Sequence, residues 1–175
     1  KHLDVGCGWG SMVRYAARQG VKSLGVTLSR EQAEWAQAKI KEEGLEDLAE
    51  VRFMDYRDVA EGNFDAISSI GLTEHIGIQN YPAYFTSLHD KLKPHGRLLN
   101  HCITRDHNRP TRTGAFIDRY IFPDGELTGA TIALHEKIFK DLGIKEVKGV
   151  KTEWNALIPG LQAGRYDAIS AGMSI

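Results

Sequence analysis

Asp4-Val5-Gly6-Cys7-Gly8-Trp9-Gly10 places an acidic side chain and three alternating glycines between an apolar run and a helical pattern. Glycines at that spacing let the backbone turn sharply and approach a ligand closely. A plain tight turn would have the same composition. The segment lacks the G-x-G-x-x-G of dinucleotide sites, in which a helix N-terminus receives a pyrophosphate. An acidic residue ahead of the first glycine, with no phosphate loop, suits a sulfonium nucleoside such as S-adenosylmethionine better than NAD. Further on, Thr27-Leu28-Ser29-Arg30-Glu31-Gln32 offers Thr27 and Gln32 where nucleotide folds usually place an acidic residue on the ribose hydroxyls. Ser29 and Gln32 would serve equally as a helix cap. Asp55-Tyr56-Arg57 supplies a polar group for an adenine amino edge and a ring to stack on it. Asp55 would equally suit a solvated loop.

Two later clusters carry acid–base groups: Thr73-Glu74-His75 and His101-Cys102-Ile103. On position alone Glu74 and His75 could be solvated loop residues, and His101 could be a satisfied core histidine. Cys102 points to the opposite face from His101 in a strand and is expected to be buried.

These clusters need a scaffold, and the apolar patterning describes one. Strands are expected at His2–Gly6, Ser23–Thr27, Glu50–Met54, Phe64–Ile70 and Arg97–Ile103. Helices are expected at Ser11–Gln19, after a cap at Ser29 with the stripe Ala33, Ala36, Ile40 and Leu45, and at Tyr81–Leu92. Lys93-Pro94-His95-Gly96 reads as a turn between the last helix and strand. Such alternation predicts a mostly parallel central sheet with helices on both faces, in one α/β domain. Ligands of such sheets lie outside the carboxyl ends of the strands. Leu28, Ile70 and Gly71 join the cofactor candidates on that ground. Beyond Arg105 the pattern weakens: a polar loop at Asp106–Gly114, an amphipathic helix at Thr128–Leu142 ended by Gly143, a strand at Lys145–Lys151, a short helix at Asn155–Gln162 and a last strand at Tyr166–Ile175.

Composition bounds the function. The chain has 175 residues, 42% hydrophobic and 26% charged, with a net charge of −1. That balance gives no broad basic field for nucleic acid or an anionic bilayer surface. The two cysteines are far apart and outside any CxxC, which argues against a disulfide framework or structural zinc and for a reducing, cytoplasmic setting. No metal is expected. No apolar run approaches the about 20 residues that span a bilayer. The chain enters a strand almost at once, as though cut from something longer.

LDVGCGWGS, GVTLSREQ, DYRD, SIGLTEHIG, LKPHGRLLNHCI and FIDRYIFPDGEL together resemble the cyclopropane-fatty-acid and mycolic-acid cyclopropane synthase family over residues 1 to about 127. LDVGCGWGS alone would be generic to methyltransferases; the others are more specific. The resemblance implies a Rossmann-like S-adenosylmethionine-dependent methyltransferase fold. It also implies transfer of the cofactor's methyl group to a cis double bond of an acyl lipid or phospholipid, with proton loss to close a three-membered ring. In that family a bound bicarbonate is the base; Glu74, His101 and the Ile103 backbone match the residues that hold it. Asp4, Gly6, Gly8, Gly10, Thr27, Leu28, Gln32, Asp55, Tyr56, Arg57, Ile70 and Gly71 form the implied cofactor set. His75, Arg119 and Tyr120 form the implied acyl-site set, although Arg119 and Tyr120 would equally serve a structural role. A lipid substrate leaves room for peripheral membrane contact.

Two family features are missing from this sequence: a helical segment ahead of Lys1 that supplies a cysteine to the bicarbonate site, and a C-terminal region with an active-site tyrosine. From about Asp124 the sequence, above all TEWNALIPGLQAGRYDAISAGMSI, resembles the first lobe of periplasmic amino-acid-binding proteins of ABC transporters. A chimera joined near Asp124–Gly129 is therefore expected. An amino-acid-binding module or a cofactor-binding scaffold without turnover stand as the alternatives to an active enzyme.

Overall fold

The computed structural model describes residues 1–103, 139–144, 146, 163–165 and 168–173. Arg119, Tyr120, the expected loop at 106–114, the short helix at 155–162, and most of the helix at 128–142 and the strand at 145–151 lie outside the described residues. The elements run β1 (His2–Val5), α1 (Ser11–Arg18), β2 (Ser23–Thr27), α2 (Arg30–Glu42), β3 (Ala49–Phe53), β4 (Phe64–Ile70), α3 (Tyr81–Lys91), β5 (Leu92–Ile103) and β6 (Ala168–Met173). Short 3-10 turns occupy Tyr56–Asp58, Thr73–His75 and Ile78–Asn80.

The strands hydrogen-bond in the order β3-β2-β1-β4-β5-β6. β1 is parallel to both β2 and β4, and β2 to β3. Strand order thus reverses between β1 and β4, and the crevice at such a reversal is where open α/β sheets bind ligands. The carboxyl end of β1 is the glycine-rich turn.

Two compact units divide the chain. One comprises Lys1–Ile70 and Asp90–Asn100; the other comprises Gly71–His89 and the described residues from His101 onward.

In the first unit the core of β1, β2 and the start of β4 follows from sequence. Leu3, Val5, Leu24, Val26, Phe64 and Ile67 are all buried. A second cluster joins Cys7, Val13, Ala17, Ala33, Ala36, Ile40, Ala49 and Val51, so α1 and α2 share one apolar layer with β3. Leu45, expected on the α2 stripe, packs against this layer from just beyond the end of the helix, with Leu48 beside it. Two glycines permit the layer. A Cβ at Gly25 would lie 2.6 Å from Val13 Cγ2 and 2.8 Å from Cys7 Sγ; one at Gly10 would lie 2.9 Å from Ala36 Cβ. Side chains here would lift both helices away from the sheet.

Helix ends behave as their sequences require. Ser29 caps α2, its hydroxyl accepting from the Gln32 amide at 3.2 Å. Glu43 holds both α1 arginines: Arg18 Nη2 lies 2.6 Å from one carboxylate oxygen, and Arg14 bonds the other. In the second unit, residues 139–141 are helical and Gly143 ends the helix with φ 84. There the amides of Gly143 and Ile144 donate to the carbonyls of Lys140 and Phe139 at 2.9 and 3.0 Å, the paired bonds of a glycine-terminated helix. Phe139 packs edge-on against Phe85 of α3 at 5.6 Å.

Two boundaries differ from expectation. The turn expected at Lys93-Pro94-His95-Gly96 lies within β5, which begins at Leu92 rather than Arg97. His95 takes a left-handed conformation, φ 64, inside the strand, so the Pro-Gly signal marks a distortion of the strand rather than a break. β3 starts one residue earlier than expected, yet the Met54 amide still reaches the Thr27 carbonyl at 3.0 Å. Among the described residues no helix is long and apolar enough to cross a membrane.

The Gly25 contacts carry a direct consequence. Gly25→Ala should destabilise the chain by about 1–3 kcal/mol, because the added methyl overlaps Val13 and Cys7. Gly62→Ala, which meets nothing within 4 Å, should stay near wild type. Urea unfolding of both variants measures the contrast.

Candidate functional site

The three glycines of the first turn are all left-handed, with φ 70 at Gly6, 53 at Gly8 and 71 at Gly10. Their roles differ. Gly10 is occupied by packing, as its contacts with Ala36 and Val51 show, whereas a Cβ on Gly8 would meet nothing within 4 Å. Gly8 therefore presents bare backbone to open space, the condition for close ligand approach. The turn is pinned by Cys7 N donating to Val26 O and Gly10 N donating to Cys7 O, each at 2.9 Å.

Large apolar side chains are exposed at the carboxyl ends of four neighbouring strands. Trp9 after β1 is 50% exposed, Leu28 after β2 70%, Phe53 at the end of β3 48%, and Ile70 at the end of β4 43%. Leu28 and Ile70 were expected in the cofactor set from sequence. Trp9 and Phe53 were not singled out, although their positions just after apolar strands carried the signal. Trp9 stands edge-on to Trp35 of α2 at 5.5 Å, and the Arg30 guanidinium lies 4.7 Å from the Phe53 ring. Such surface is costly to leave in water and suits a flat, weakly polar ligand.

The polar candidates of this unit are engaged with one another. The Thr27 hydroxyl donates to Gln32 Oε1 at 2.8 Å and accepts from the Ser29 amide at 3.3 Å. Thr27 and Gln32 thus complete the cap of α2. In a full capping box the Gln32 side chain would reach the Ser29 amide; here Thr27 takes that place. Asp55 caps the Tyr56–Asp58 turn. Its Oδ1 accepts from the Arg57 amide and from Arg57 Nε, both at 2.9 Å, and its Oδ2 from Nη2 at 2.7 Å. The hydrogen-bonded Arg57 guanidinium holds the Asp55 carboxyl below the usual carboxylate range. Tyr56, between them, is half-buried.

Asp4 is buried at the end of β1 and accepts from the Ser68 hydroxyl of β4, its register partner. Ser68 Oγ also lies 2.9 Å from His2 Nε2, and His2 Nδ1 lies 2.7 Å from Ser23 Oγ. Ser23, His2, Ser68 and Asp4 form one buried polar chain crossing β2, β1 and β4. Of these four, Asp4 alone was expected from sequence. The signal for the rest was three polar residues at inward positions of otherwise apolar strands. Burial pushes Asp4 up to about 7 and His2 down to about 4. It also pushes the Cys7 thiol up to about 12.

In the second unit the acid–base candidates lie on two segments joined by a backbone hydrogen bond. Gly71 N donates to His101 O at 2.9 Å, tying the segment after β4 to β5. Glu74 is buried within the Thr73–His75 turn, and His75 is exposed. His101 is partly buried and Cys102 fully so, as expected for the two sides of a strand. Ile103 ends β5. Tyr81, the first residue of α3, joins this segment without being expected there from sequence. Its hydroxyl donates to the Thr73 carbonyl at 3.1 Å, and burial pushes it up to about 12. Cys102 is pushed up chiefly by burial, with the Glu74 charge adding to it. Both Cys7 and Cys102 are free thiols, and among the described residues no group of His, Cys, Asp and Glu is arranged to hold a metal.

The family model for mycolic acid cyclopropane synthetase matches residues 1–158. The chain is 67% identical over 129 residues to a probable fatty acid methyltransferase of Mycobacterium tuberculosis, covering 73% of this chain and 30% of that protein. It is 40% identical over 124 residues to the cyclopropane-fatty-acyl-phospholipid synthase of Escherichia coli K12, covering 70% of this chain and 31% of that one. The chain therefore spans about a third of the length of these relatives. Among solved structures, the mycolic acid cyclopropane synthase CmaA1 complexed with SAH and CTAB superposes with a TM-score of 0.68 at 31% identity, over 81% of this chain and 53% of that one. The expected Rossmann-like methyltransferase fold is thereby found. The family match continues past the join expected near Asp124–Gly129, so the comparisons give no support to a chimera with a solute-binding protein.

The buried polar chain sets two opposed pH windows. Native Asp4 keeps a proton that the unfolded chain releases, so it lowers stability as pH rises from about 4 to about 7. Native His2 refuses a proton that the unfolded chain takes, so it lowers stability as pH falls from 6.5 to about 4. The two slopes oppose each other in wild type. His2→Gln should remove one of them and leave stability falling with rising pH across that interval. Urea midpoints at pH 4.5, 5.5 and 6.5 measure the slope.

Proposed function

The chain belongs to the mycolic acid cyclopropane synthetase family, and on that premise we propose that it is the S-adenosylmethionine-binding core of a methyltransferase acting on an unsaturated acyl lipid. The observation that carries the reading is the bare backbone at Gly8, set where strand order reverses and beside a row of exposed apolar side chains. The SAH complex of a relative 31% identical supports the same cofactor.

The residues present suit that ligand. Gly6, Gly8 and Gly10 shape the turn, and Asp4 lies beneath it as the one buried carboxylate of β1. Leu28, Ile70 and the Tyr56 ring offer apolar faces for an adenine, and Thr27 and Gln32 offer neutral hydrogen bonds to a ribose. Asp55 would keep its bonds to Arg57 and present its remaining acceptor capacity to the amino edge. Bound S-adenosylmethionine supplies an electrophilic methyl group. An alkene is a weak nucleophile, so the protein's part is to orient the acyl chain and exclude water.

Proton removal falls to the second unit. Glu74 is buried, and His101 stands in the strand that Gly71 secures. A bicarbonate ion would be held by Glu74, His101 and the backbone of Ile103, as in the family, and would supply a base. His75, exposed beside Glu74, together with Arg119 and Tyr120, would line the acyl entrance. The substrate is an unsaturated fatty acyl lipid or phospholipid, met by peripheral contact with a membrane from the cytoplasmic side. A methyl branch, as the name of the 67% relative suggests, and a cyclopropane ring, as that of the 40% relative suggests, share the first transfer and diverge after it.

Glu74→Gln and His101→Ala should each abolish methyl transfer to a cis-unsaturated phospholipid while cofactor affinity stays within a few-fold of wild type. Radiolabelled transfer together with calorimetry reads both quantities; a matched loss of cofactor binding would move the reaction centre elsewhere. Gly8→Val should remove cofactor binding, because its side chain would enter the open space above the turn and strain a left-handed residue.

A further inference from the structure

Asp4 is nearly inaccessible to solvent, and among the described residues no cationic side chain bonds to it. Among the described residues, the charged groups on the flanking elements are paired elsewhere. β2 presents Ser23, Gly25 and Thr27, none of them ionisable. On β4, Ser68 is the partner of Asp4, while Asp65 is exposed nearer the start of the strand. On α1, Arg14 and Arg18 are both held by Glu43. Cys7, next along the chain, is a buried neutral thiol. His2 faces Asp4 only through the Ser68 hydroxyl. A carboxylate desolvated in this way, with one hydroxyl for company, is held more cheaply as the neutral acid.

The hydroxyls decide orientation. Ser68 bonds Asp4 Oδ1 and His2 Nε2 together, and Ser23 fixes the other ring nitrogen of His2. The histidine ring can therefore turn only by breaking two buried bonds, and Ser68 remains aimed at Asp4. None of these three residues lies in the glycine turn itself.

We infer that burial holds Asp4 as a neutral carboxylic acid before a ligand binds, that Ser23, His2 and Ser68 are positioning residues that keep a hydroxyl donor aimed at its carboxyl, and that Asp4 gives up its proton, with Ser68 bonding the resulting anion, when a cationic ligand enters the turn. The inference rests on the reading of that turn as an S-adenosylmethionine site. The step is a simple ionisation: the Asp4 O–H bond breaks, its electron pair stays on the carboxylate, and the proton passes to solvent buffer. A sulfonium centre repays the cost of the buried anion by charge attraction, whereas S-adenosylhomocysteine has a neutral thioether in its place and keeps only the α-ammonium that both ligands share. The site would thereby distinguish substrate from product by charge and favour release of the product.

The test is calorimetric titration of the full chain at pH 6 with each ligand, in two buffers of widely different protonation enthalpy. At that pH the α-amino group of either ligand is protonated. The expected result is release of about one proton per S-adenosylmethionine bound, and little release with S-adenosylhomocysteine. Asp4→Asn should abolish the release. Ser68→Ala should weaken the preference for the cation while leaving the homocysteine ligand bound. Binding of both ligands with the same heat in both buffers, or equal proton release by both, overturns the inference and leaves the cofactor assignment standing. Absence of heat with either ligand from a folded chain overturns both.

Discussion

Close packing of two helices on the sheet, possible only where glycine removes a side chain, is the constraint on which the first unit depends. Gly10 lets the start of α1 meet Ala36 of α2, and Gly25 lets Val13 and Cys7 settle over β2. With the helices so seated, the turn between β1 and α1 has little freedom, and Gly8 is left as bare backbone facing open space. The same sequence feature, a strand followed by alternating glycines, thus does two separate things: one glycine builds the layer and another offers a surface.

The polar residues of β1, β2 and β4 add a second constraint beneath the turn. Ser23, His2, Ser68 and Asp4 satisfy one another across three strands, on the sheet face opposite to Leu3, Val5, Leu24 and Ile67. Buried polar chains of this kind are costly when any member is lost. Burial shifts His2 and Asp4 in opposite directions, so both favour the neutral form. A charge arriving from outside therefore meets a group able to respond to it.

Much of this was legible from the residues. The strand starts at His2, Ser23 and Phe64 and the cap at Ser29 follow from apolar runs and capping chemistry, and the structure reproduces them. The reversal of strand order beside β1 was expected only from general α/β rules. What the sequence concealed was long-range. The link from His2 to Ser68 joins residues 66 positions apart, and Tyr81 reaches the Thr73 carbonyl across the turn at Ile78–Asn80. The Pro94-Gly96 segment misled for a different reason. Proline and glycine mark departure from regular backbone, and a left-handed His95 within a strand satisfies that signal as well as a turn does. The second resemblance, from Asp124 onward, rested on local wording, whereas the family match runs through that region to residue 158.

The ends of four neighbouring strands are proposed to form one nucleoside site. Amide chemical-shift mapping of the isotope-labelled chain with S-adenosylhomocysteine tests it most directly. The largest shifts are expected at Gly6 to Gly10, Thr27 and Leu28, Asp55 to Arg57, and Ile70 and Gly71. Shifts concentrated away from those four strand ends, or none from a folded chain at saturating ligand, would contradict it.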